Sequence, residues 1–236
     1  MGSIMEEQQQ DEVKEELKKR IADLRLGDSW LERKTDRQRR MVELREYLDQ
    51  YLPEVQACGD MKRFIDIGPG PGELLELAQA HGMWAIGYDA VEPEGGMGSK
   101  YLEVSRLSHQ LRDLNIEYCE PELTAETVFT QNNGSAYVIN MRGSIEQVLC
   151  HLMEGEPHHV HQDCNRLSWK TNEAAEGILQ FLRLMKKCLS SSGRLMIAAN
   201  GAANTSWYDQ LLMTHYESVG FSRVKRFDER THKLYV

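Results

Sequence analysis

A glycine-rich stretch between residues 66 and 73 carries the chemistry that the sequence suggests most strongly. It reads Asp-Ile-Gly-Pro-Gly-Pro-Gly-Glu and follows a short apolar segment. Glycine lets the backbone approach a ligand without a Cβ in the way, and the start of a following helix offers free N–H groups. The carboxylate of Asp66 can offset a cationic group of a ligand. The stretch therefore predicts a ligand-binding turn between a strand and a helix.

A second carboxylate stands where the next predicted strand, residues 84–89, ends. This residue is Asp89, and a carboxylate at such a place can accept hydrogen bonds from both ribose hydroxyls of a nucleoside. The glycine spacing is G-x-G-x-G, and Glu73 occupies the place where a dinucleotide-binding fingerprint has its third glycine. The pattern favours a nucleoside ligand that is not a dinucleotide. A nicotinamide cofactor and a tight turn without a ligand stay open as alternatives.

Strands and helices alternate after an all-helical beginning. Apolar spacing predicts one helix from about Asp11, with a polar, frayed end before it, and a second helix that ends at Pro53. A further helix is predicted through residues 74–78, ended by His81 and Gly82, and others at about 101–114, 144–152, 172–189 and 207–219. Strands are predicted at 63–67, 84–89, 115–118, 136–140 and 194–199. Residues 223–227 and 233–236 are predicted to form a hairpin.

This order of elements predicts an α/β fold. We expect a doubly wound, mostly parallel, seven-stranded Rossmann-like sheet with an antiparallel C-terminal hairpin. Residues 1–57 are expected to form an N-terminal helical extension or cap, and residues 58–236 the ligand-binding domain. Ligands of such sheets bind beyond the C-terminal ends of the strands.

The glycine motif, the acidic end of the next strand and the element order together resemble the class I S-adenosylmethionine (SAM)-dependent methyltransferases over residues 60–236. The resemblance implies SAM as the cofactor and an N-terminal extension that roofs the substrate pocket. It implies that Asp89 binds the ribose and that Cys119 or Glu120 stands near the adenine, on a loose match. The methionine end of SAM is expected to lie against Asp66, Gly68, Gly70 and Gly72.

The fourth predicted strand faces the transferred methyl group in this family. It ends here in Asn-Met-Arg-Gly-Ser, residues 140–144. The Asn/Asp-Pro-Pro-Tyr/Phe signature of many amino-group methyltransferases of nucleic acids is missing, which disfavours base methylation. Asn140 and Arg142 are candidates for orienting an acceptor, and a surface salt bridge is the alternative for Arg142.

Three histidines lie in the polar stretch that follows: His158, His159 and His161. One of them can serve as a general base toward an acceptor hydroxyl. A metal site that includes Asp163 and Cys164 is disfavoured because no established ligand spacing is met, so we predict no metal. A solvated polar loop is the simplest interpretation of this stretch.

The composition and charge of the sequence limit the kinds of partner that we expect. The net charge of −9 disfavours broad binding to nucleic acid. The basic cluster formed by Arg33, Lys34, Arg37, Arg39 and Arg40 is interpreted as a solvated helix face that pairs with Asp36, Glu43 and Glu46, with an RNA-facing patch as the alternative. No apolar run approaches the roughly 20 residues of a membrane-spanning helix. Five cysteines without a C-x-x-C spacing, and no signal-peptide pattern, favour a cytoplasmic protein.

The sequence therefore predicts transfer of a methyl group from SAM to an oxygen or nitrogen of a small-molecule acceptor. An RNA or protein methyltransferase is one alternative. A SAM-binding regulatory protein that has lost catalysis is another. The pattern predicts neither the acceptor nor an oligomeric state.

Overall fold

Five parallel strands form the centre of the computed structural model. It describes residues 2–42, 44–45, 63–90, 97–119, 124–142, 172–198, 215–221, 224–226 and 232–235. The parallel strands are β1 Arg63–Ile67, β2 Trp84–Ala90, β3 Ile116–Cys119, β4 Ala136–Arg142 and β5 Leu189–Ala198. Two more strands, β6 Val224–Arg226 and β7 His232–Tyr235, pair antiparallel with each other, and β7 pairs antiparallel with β5.

The helices of the described residues follow the strands in the order of a doubly wound fold. They are α1 Gly2–Arg25, α2 Ser29–Lys34, α3 at 37–42, α4 Glu73–Ala80, α5 Met97–Leu111, α6 Thr124–Asn132 and α7 Asn172–Cys188, with a 3-10 turn at Glu217–Val219. None of these helices is long and apolar enough to cross a membrane. The predicted mostly parallel α/β sheet is confirmed.

The strand order is β3-β2-β1-β4-β5-β7-β6. The chain runs outward from β1 to β3 and then returns to the other side of β1 with β4. The crevice beside the C-terminal ends of β1 and β4 is therefore the switch point at which open α/β sheets bind ligands.

Strand β1 supplies both faces of the core, because successive side chains of a strand point to opposite sides. Phe64 packs with Leu74 and Leu75 of α4 on one face. Ile65 lies on the other face in a cluster that includes Phe181 of α7. Asp66 shares the face of Phe64 by this alternation, which places its carboxylate on the side of α4.

The N-terminal helices pack onto the sheet domain. Helix α1 contacts α5, and Leu31 of α2 is fully buried. The prediction of a frayed start before Asp11 was wrong, since α1 begins at Gly2. The predicted second helix is divided, because Thr35 Oγ1 donates to the Leu31 carbonyl oxygen at 2.7 Å. Such side-chain bonds to the backbone compete with helix continuation.

The division is completed by Asp36, whose carboxylate accepts a hydrogen bond from the Arg39 amide at 3.0 Å and caps α3. The predicted end of this helix at Pro53 and the boundary at residue 57 lie outside the described residues. Two other differences concern the sheet domain. Helix α6 was not predicted, and β5 begins five residues before the predicted Arg194, at Leu189.

Candidate functional site

Two buried carboxylates lie at the C-terminal ends of neighbouring strands. Asp66 is 2% exposed and Asp89 is 8% exposed. Ile67 pairs with Tyr88 in the β1–β2 register, so Asp89 lies one residue beyond the last paired position of β1. The amide of Gly68 donates to the Tyr88 carbonyl oxygen at 2.8 Å. The first glycine of the turn therefore lies two residues after Asp66 and is bonded to the backbone directly before Asp89.

The turn itself depends on glycine backbone geometry. Gly68, Gly70 and Gly72 have φ values of 70°, 57° and 90°, which other residues rarely adopt. Gly72 is the N-cap of α4 in the left-handed conformation and has no capping side chain. The sequence pattern thus builds a sharp entry into α4, with the helix N-terminus directed toward the sheet edge.

At two of these glycines, neighbouring side chains occupy the space that a Cβ atom would need. A Cβ at Gly70 would lie 2.5 Å from the hydroxyl of Tyr101, and a Cβ at Gly72 would overlap Leu114 and lie 3.3 Å from a ring carbon of His109. The space that these Cβ atoms would fill is occupied by α5 and by the residues that follow it. Gly70 and Gly72 therefore let α5 pack against the turn, in addition to any contact with a ligand.

His109 of α5 supports the turn from behind. Its Nε2 lies 2.5 Å from the Gly70 carbonyl oxygen and its Nδ1 lies 3.0 Å from the Tyr118 hydroxyl. Burial lowers the pKa of His109 to about 4, and the positive charge of Arg112 acts in the same direction, although the hydrogen bond to Gly70 opposes it. The ring is therefore neutral at pH 7. Because a carbonyl only accepts, Nε2 donates and Nδ1 accepts from Tyr118.

Glu73 is the acidic residue that distinguishes this turn from the dinucleotide pattern, and it is fully buried. Arg40 donates from Nε to one carboxylate oxygen of Glu73 at 2.8 Å. Arg112 approaches the other oxygen at 3.4 Å and also donates to the Pro71 carbonyl oxygen at 2.9 Å. Burial alone would lower the pKa of Arg40, but Glu73, Tyr101 and Asp66 together outweigh it and the pKa is raised.

The basic cluster of the N-terminal segment has different partners from those expected. Arg40 pairs with Glu73, and Arg37 pairs with Glu76 at 2.5 Å, so both arginines contact α4. The interpretation as part of a solvated face was wrong for Arg40, whose side chain is only 17% exposed, whereas Arg37 remains 54% exposed. Of the partners predicted for the cluster, Glu43 and Glu46 lie outside the described residues.

The fourth strand is placed by its backbone. Asn140 is in register with Asp66, and Arg142 is in register with Ala198 of β5. Asn140 thus lies at the same sheet edge as the two carboxylates, and Arg142 lies two residues further along the strand. The side chains of Asn140 and Arg142 are outside the described part of the chain.

Of the remaining predicted site residues, Cys119 alone lies in the described part of the chain. Cys119 ends β3, is buried, and its thiol lies 3.8 Å from the Asp89 carbonyl oxygen. Glu120 lies outside the described residues, as do His158, His159 and His161. In the described part of the chain, no three His, Cys, Asp or Glu side chains are grouped as metal ligands.

The sequence reasoning missed the residues that hold the turn from outside it. His109 and Arg112 stand 39 and 41 residues from the turn residues whose carbonyl oxygens they contact. The available signal was indirect. His109, like Arg112, is a polar residue at the end of a predicted amphipathic helix that follows the glycine motif in a doubly wound fold.

The described site fits a nucleoside that carries a cationic group. Buried carboxylates are costly unless they meet cations or hydrogen-bond donors. A ligand with a cationic group and hydroxyl donors can meet the Asp66 and Asp89 carboxylates at the C-terminal ends of β1 and β2. A phosphate-rich ligand fits these two acceptors less well, because the carboxylates at the ends of β1 and β2 repel anions.

Several solved structures are similar to this chain at low sequence identity. No protein-family model matches the chain, and no curated protein sequence matches it. A SAM-dependent methyltransferase from Archaeoglobus fulgidus is 19% identical, with a TM-score of 0.47, over 80% of this chain and 71% of its own. The antibiotic-resistance methyltransferase Kmr is 16% identical, with a TM-score of 0.43, over 77% of this chain and 90% of its own.

Monomeric WbdD has a TM-score of 0.51 and 13% identity over 82% of this chain, which spans only 40% of the WbdD chain. Identities this low show the fold alone. With the strand order β3-β2-β1-β4-β5-β7-β6, the similarity to WbdD shows that the chain has a Rossmann-like α/β fold.

Proposed function

We propose that this chain is a SAM-dependent methyltransferase that moves a methyl group to an oxygen or nitrogen of a small-molecule acceptor. The observation that carries the proposal is the pair of buried carboxylates, Asp66 and Asp89, on either side of the glycine turn. SAM combines a cationic methionine end with a ribose diol, and these are the two chemistries that such a pair recognises.

In this proposal the chain binds and orients both reactants. Asp66 and the backbone of Gly68 hold the methionine end, with Gly70 and Gly72 shaping the turn, and Asp89 accepts hydrogen bonds from the ribose hydroxyls. SAM, when bound, supplies a methyl group on a positively charged sulfur. Alignment of the acceptor with that methyl group contributes most of the acceleration in an in-line displacement.

The acceptor side of the site belongs to the proposal as well. Asn140 is in register with Asp66, which favours a role for it and for Arg142 in holding the acceptor. One of His158, His159 and His161 takes the acceptor proton. In the same proposal, residues 1–57 form a cap over the domain of residues 58–236. The domain has the seven-stranded sheet with an antiparallel hairpin that is typical of the proposed family, and the protein is cytoplasmic.

The function is tested with the full-length chain by following conversion of SAM to its demethylated product. The assay uses a broad panel of hydroxyl- and amine-bearing metabolites, with an RNA sample and a protein extract as separate arms. Product formation with a metabolite supports the proposal. Product formation only with RNA or protein moves the function to the macromolecular alternative, and saturable SAM binding without turnover in any arm favours the regulatory alternative.

The histidines are tested one at a time once an acceptor is known. Substituting His158, His159 or His161 by Ala should leave SAM affinity unchanged, while at least one variant loses turnover by ~10²–10⁴-fold, the usual contribution of a general base. Full activity in all three variants would show that orientation alone suffices. A wild-type rate that depends on added zinc would instead favour a metal site.

A further inference from the structure

An ion pair connects the N-terminal segment with the glycine turn. Arg40 belongs to α3, and its partner Glu73 is the first residue of α4, directly after Gly72. We propose that Arg40 is a positioning residue that holds the glycine turn in its ligand-binding shape through Glu73, so that docking of the N-terminal segment and cofactor binding are coupled. This inference rests on the proposed function, because it concerns the same cofactor site.

The Glu73 carboxylate is buried and depends on two arginines to balance its charge. Its side chain is fully buried, and each carboxylate oxygen is approached by a different arginine, Arg40 on one side and Arg112 on the other. Removing one partner of a buried pair leaves an uncompensated charge, which is more disruptive than loss of an exposed pair. The first turn of α4 would then relax, and with it the backbone of the glycine turn that precedes it.

Arg40 also lies beside the turn itself. Its Nη2 would be 3.6 Å from a Cβ placed on Gly70, and the Asp66 carboxylate contributes to the raised pKa of its guanidinium. Arg40 therefore supports the turn from the side on which the sheet-edge carboxylate lies. A positive charge held there also balances the cluster of Asp66 and Glu73 before a ligand binds.

Arg40 differs from the other side chains that bond to the glycine turn in the part of the chain from which it comes. Two other side chains of the described residues bond to turn residues 70–73 from outside: His109 of α5 and Arg112, which directly follows α5. Arg40 alone among these three comes from the N-terminal segment. That segment is anchored on both sides of Arg40 by the buried side chains of Leu31 and Leu44, so the position of the guanidinium is set by packing.

Coupling of this kind is reciprocal. If the docked segment favours the ligand-binding shape of the turn, the ligand must favour the docked segment by the same factor. The inference therefore predicts two effects that are measured separately. One is an effect of Arg40 on ligand affinity, and the other is an effect of the ligand on the segment.

The affinity arm uses calorimetry of the full-length chain with SAM. Arg40→Met should weaken binding about tenfold, near the lower end of typical coupling factors. The matched control is Arg37→Met, the same substitution one turn earlier on α3, where the ion pair with Glu76 is exposed. Exposed pairs contribute little, so this control should stay within about twofold of wild type. Arg40→Lys, which keeps the charge but not the planar guanidinium, should recover part of the affinity.

The exchange arm measures amide hydrogen exchange in residues 37–42. SAM should slow exchange of these amides in the wild type and in Arg37→Met, and should do so much less in Arg40→Met. If Arg40→Met fails to fold, Glu73→Gln carries the test, because it preserves the volume of the side chain and removes the charge that Arg40 meets. It should reproduce both the weaker binding and the lost protection.

The possible results are distinct. Equal SAM affinity and equal protection in wild type and Arg40→Met would overturn the inference while leaving the proposed function intact. Weaker binding in Arg37→Met to the same extent would overturn it too, because the effect would then belong to the surface charge of α3. A wild-type chain that binds no SAM would contradict the proposed function itself.

Discussion

The imidazole of His109 bridges the glycine turn and the third strand, with Nε2 2.5 Å from the Gly70 carbonyl oxygen and Nδ1 3.0 Å from the Tyr118 hydroxyl. This bridge fixes the neutral tautomer of a buried ring. It also connects the turn with the strand position that stands in register with Asp89. The two sides of the candidate site are thus held together by one side chain.

The first prediction concerns the pH dependence of stability. The pKa of His109 is lowered to about 4 in the folded chain, from 6.5 for an ordinary histidine, so the unfolded chain takes up the proton first as the pH falls. The free energy of unfolding should therefore fall between pH 6.5 and pH 4, by up to about 3 kcal/mol from this group. Above pH 6.5 the ring is neutral in both states and contributes no slope.

Denaturant unfolding of the wild type and His109→Gln at pH 7 and pH 5 measures this effect. The variant should be less stable at pH 7 by about 1–3 kcal/mol, because the buried Gly70 carbonyl or the Tyr118 hydroxyl is left without its partner. It should also lose less stability than the wild type on going to pH 5. Identical losses in the two chains would remove His109 as the source of the slope.

The second prediction concerns the ribose contact. Asp89→Ala removes the acceptor for the ribose hydroxyls, which should cost roughly 1–3 kcal/mol of binding and weaken the affinity for SAM about 5- to 150-fold. The melting temperature of the ligand-free protein should change little, because Asp89 lies one residue before the end of β2 and beyond its last pair with β1. Calorimetry and a thermal melt of the same sample test both parts. An unchanged SAM affinity would exclude Asp89 from the site.

The third prediction asks whether the N-terminal segment is part of the cooperative fold. Leu31 is fully buried in α2, whereas Leu26, five residues earlier, is 82% exposed. Leu31→Ala should lower the free energy of unfolding by about 2–5 kcal/mol, the range for buried leucines. Leu26→Ala is the matched control and should stay within about 0.5 kcal/mol of wild type. Equal small effects would mean that the segment unfolds independently of the sheet.

The parts of the fold that the sequence predicted are those with a strong local signal. The strand before the glycine turn, the turn and Asp89 all follow from residue types at fixed spacing. Helix α6 has no such signal, because Thr124, Thr127 and Val128 are β-branched residues with low helix propensity. It is stabilised by packing, since Val128 is fully buried in the core.

The candidate site divides in the same way. Asp66 and Asp89 were predicted because their strands end at the same edge. The supports of the turn were not predicted, because Arg40 and Arg112 reach Glu73 from 33 and 39 residues away on opposite sides in sequence. Glu73 was noticed only as a departure from the dinucleotide pattern. A charged residue that is unusual for a motif predicts an oppositely charged partner, but its sequence position does not reveal where in the chain that partner lies.

The central claim is that the turn and its two carboxylates bind SAM, and calorimetry of the full-length chain tests it most directly. SAM and its demethylated product are titrated in parallel with NAD. The account predicts saturable binding of SAM or its product to a single site with a dissociation constant near the micromolar range, about −8 kcal/mol, and no saturable binding of NAD. No heat with SAM together with saturable binding of NAD would contradict it.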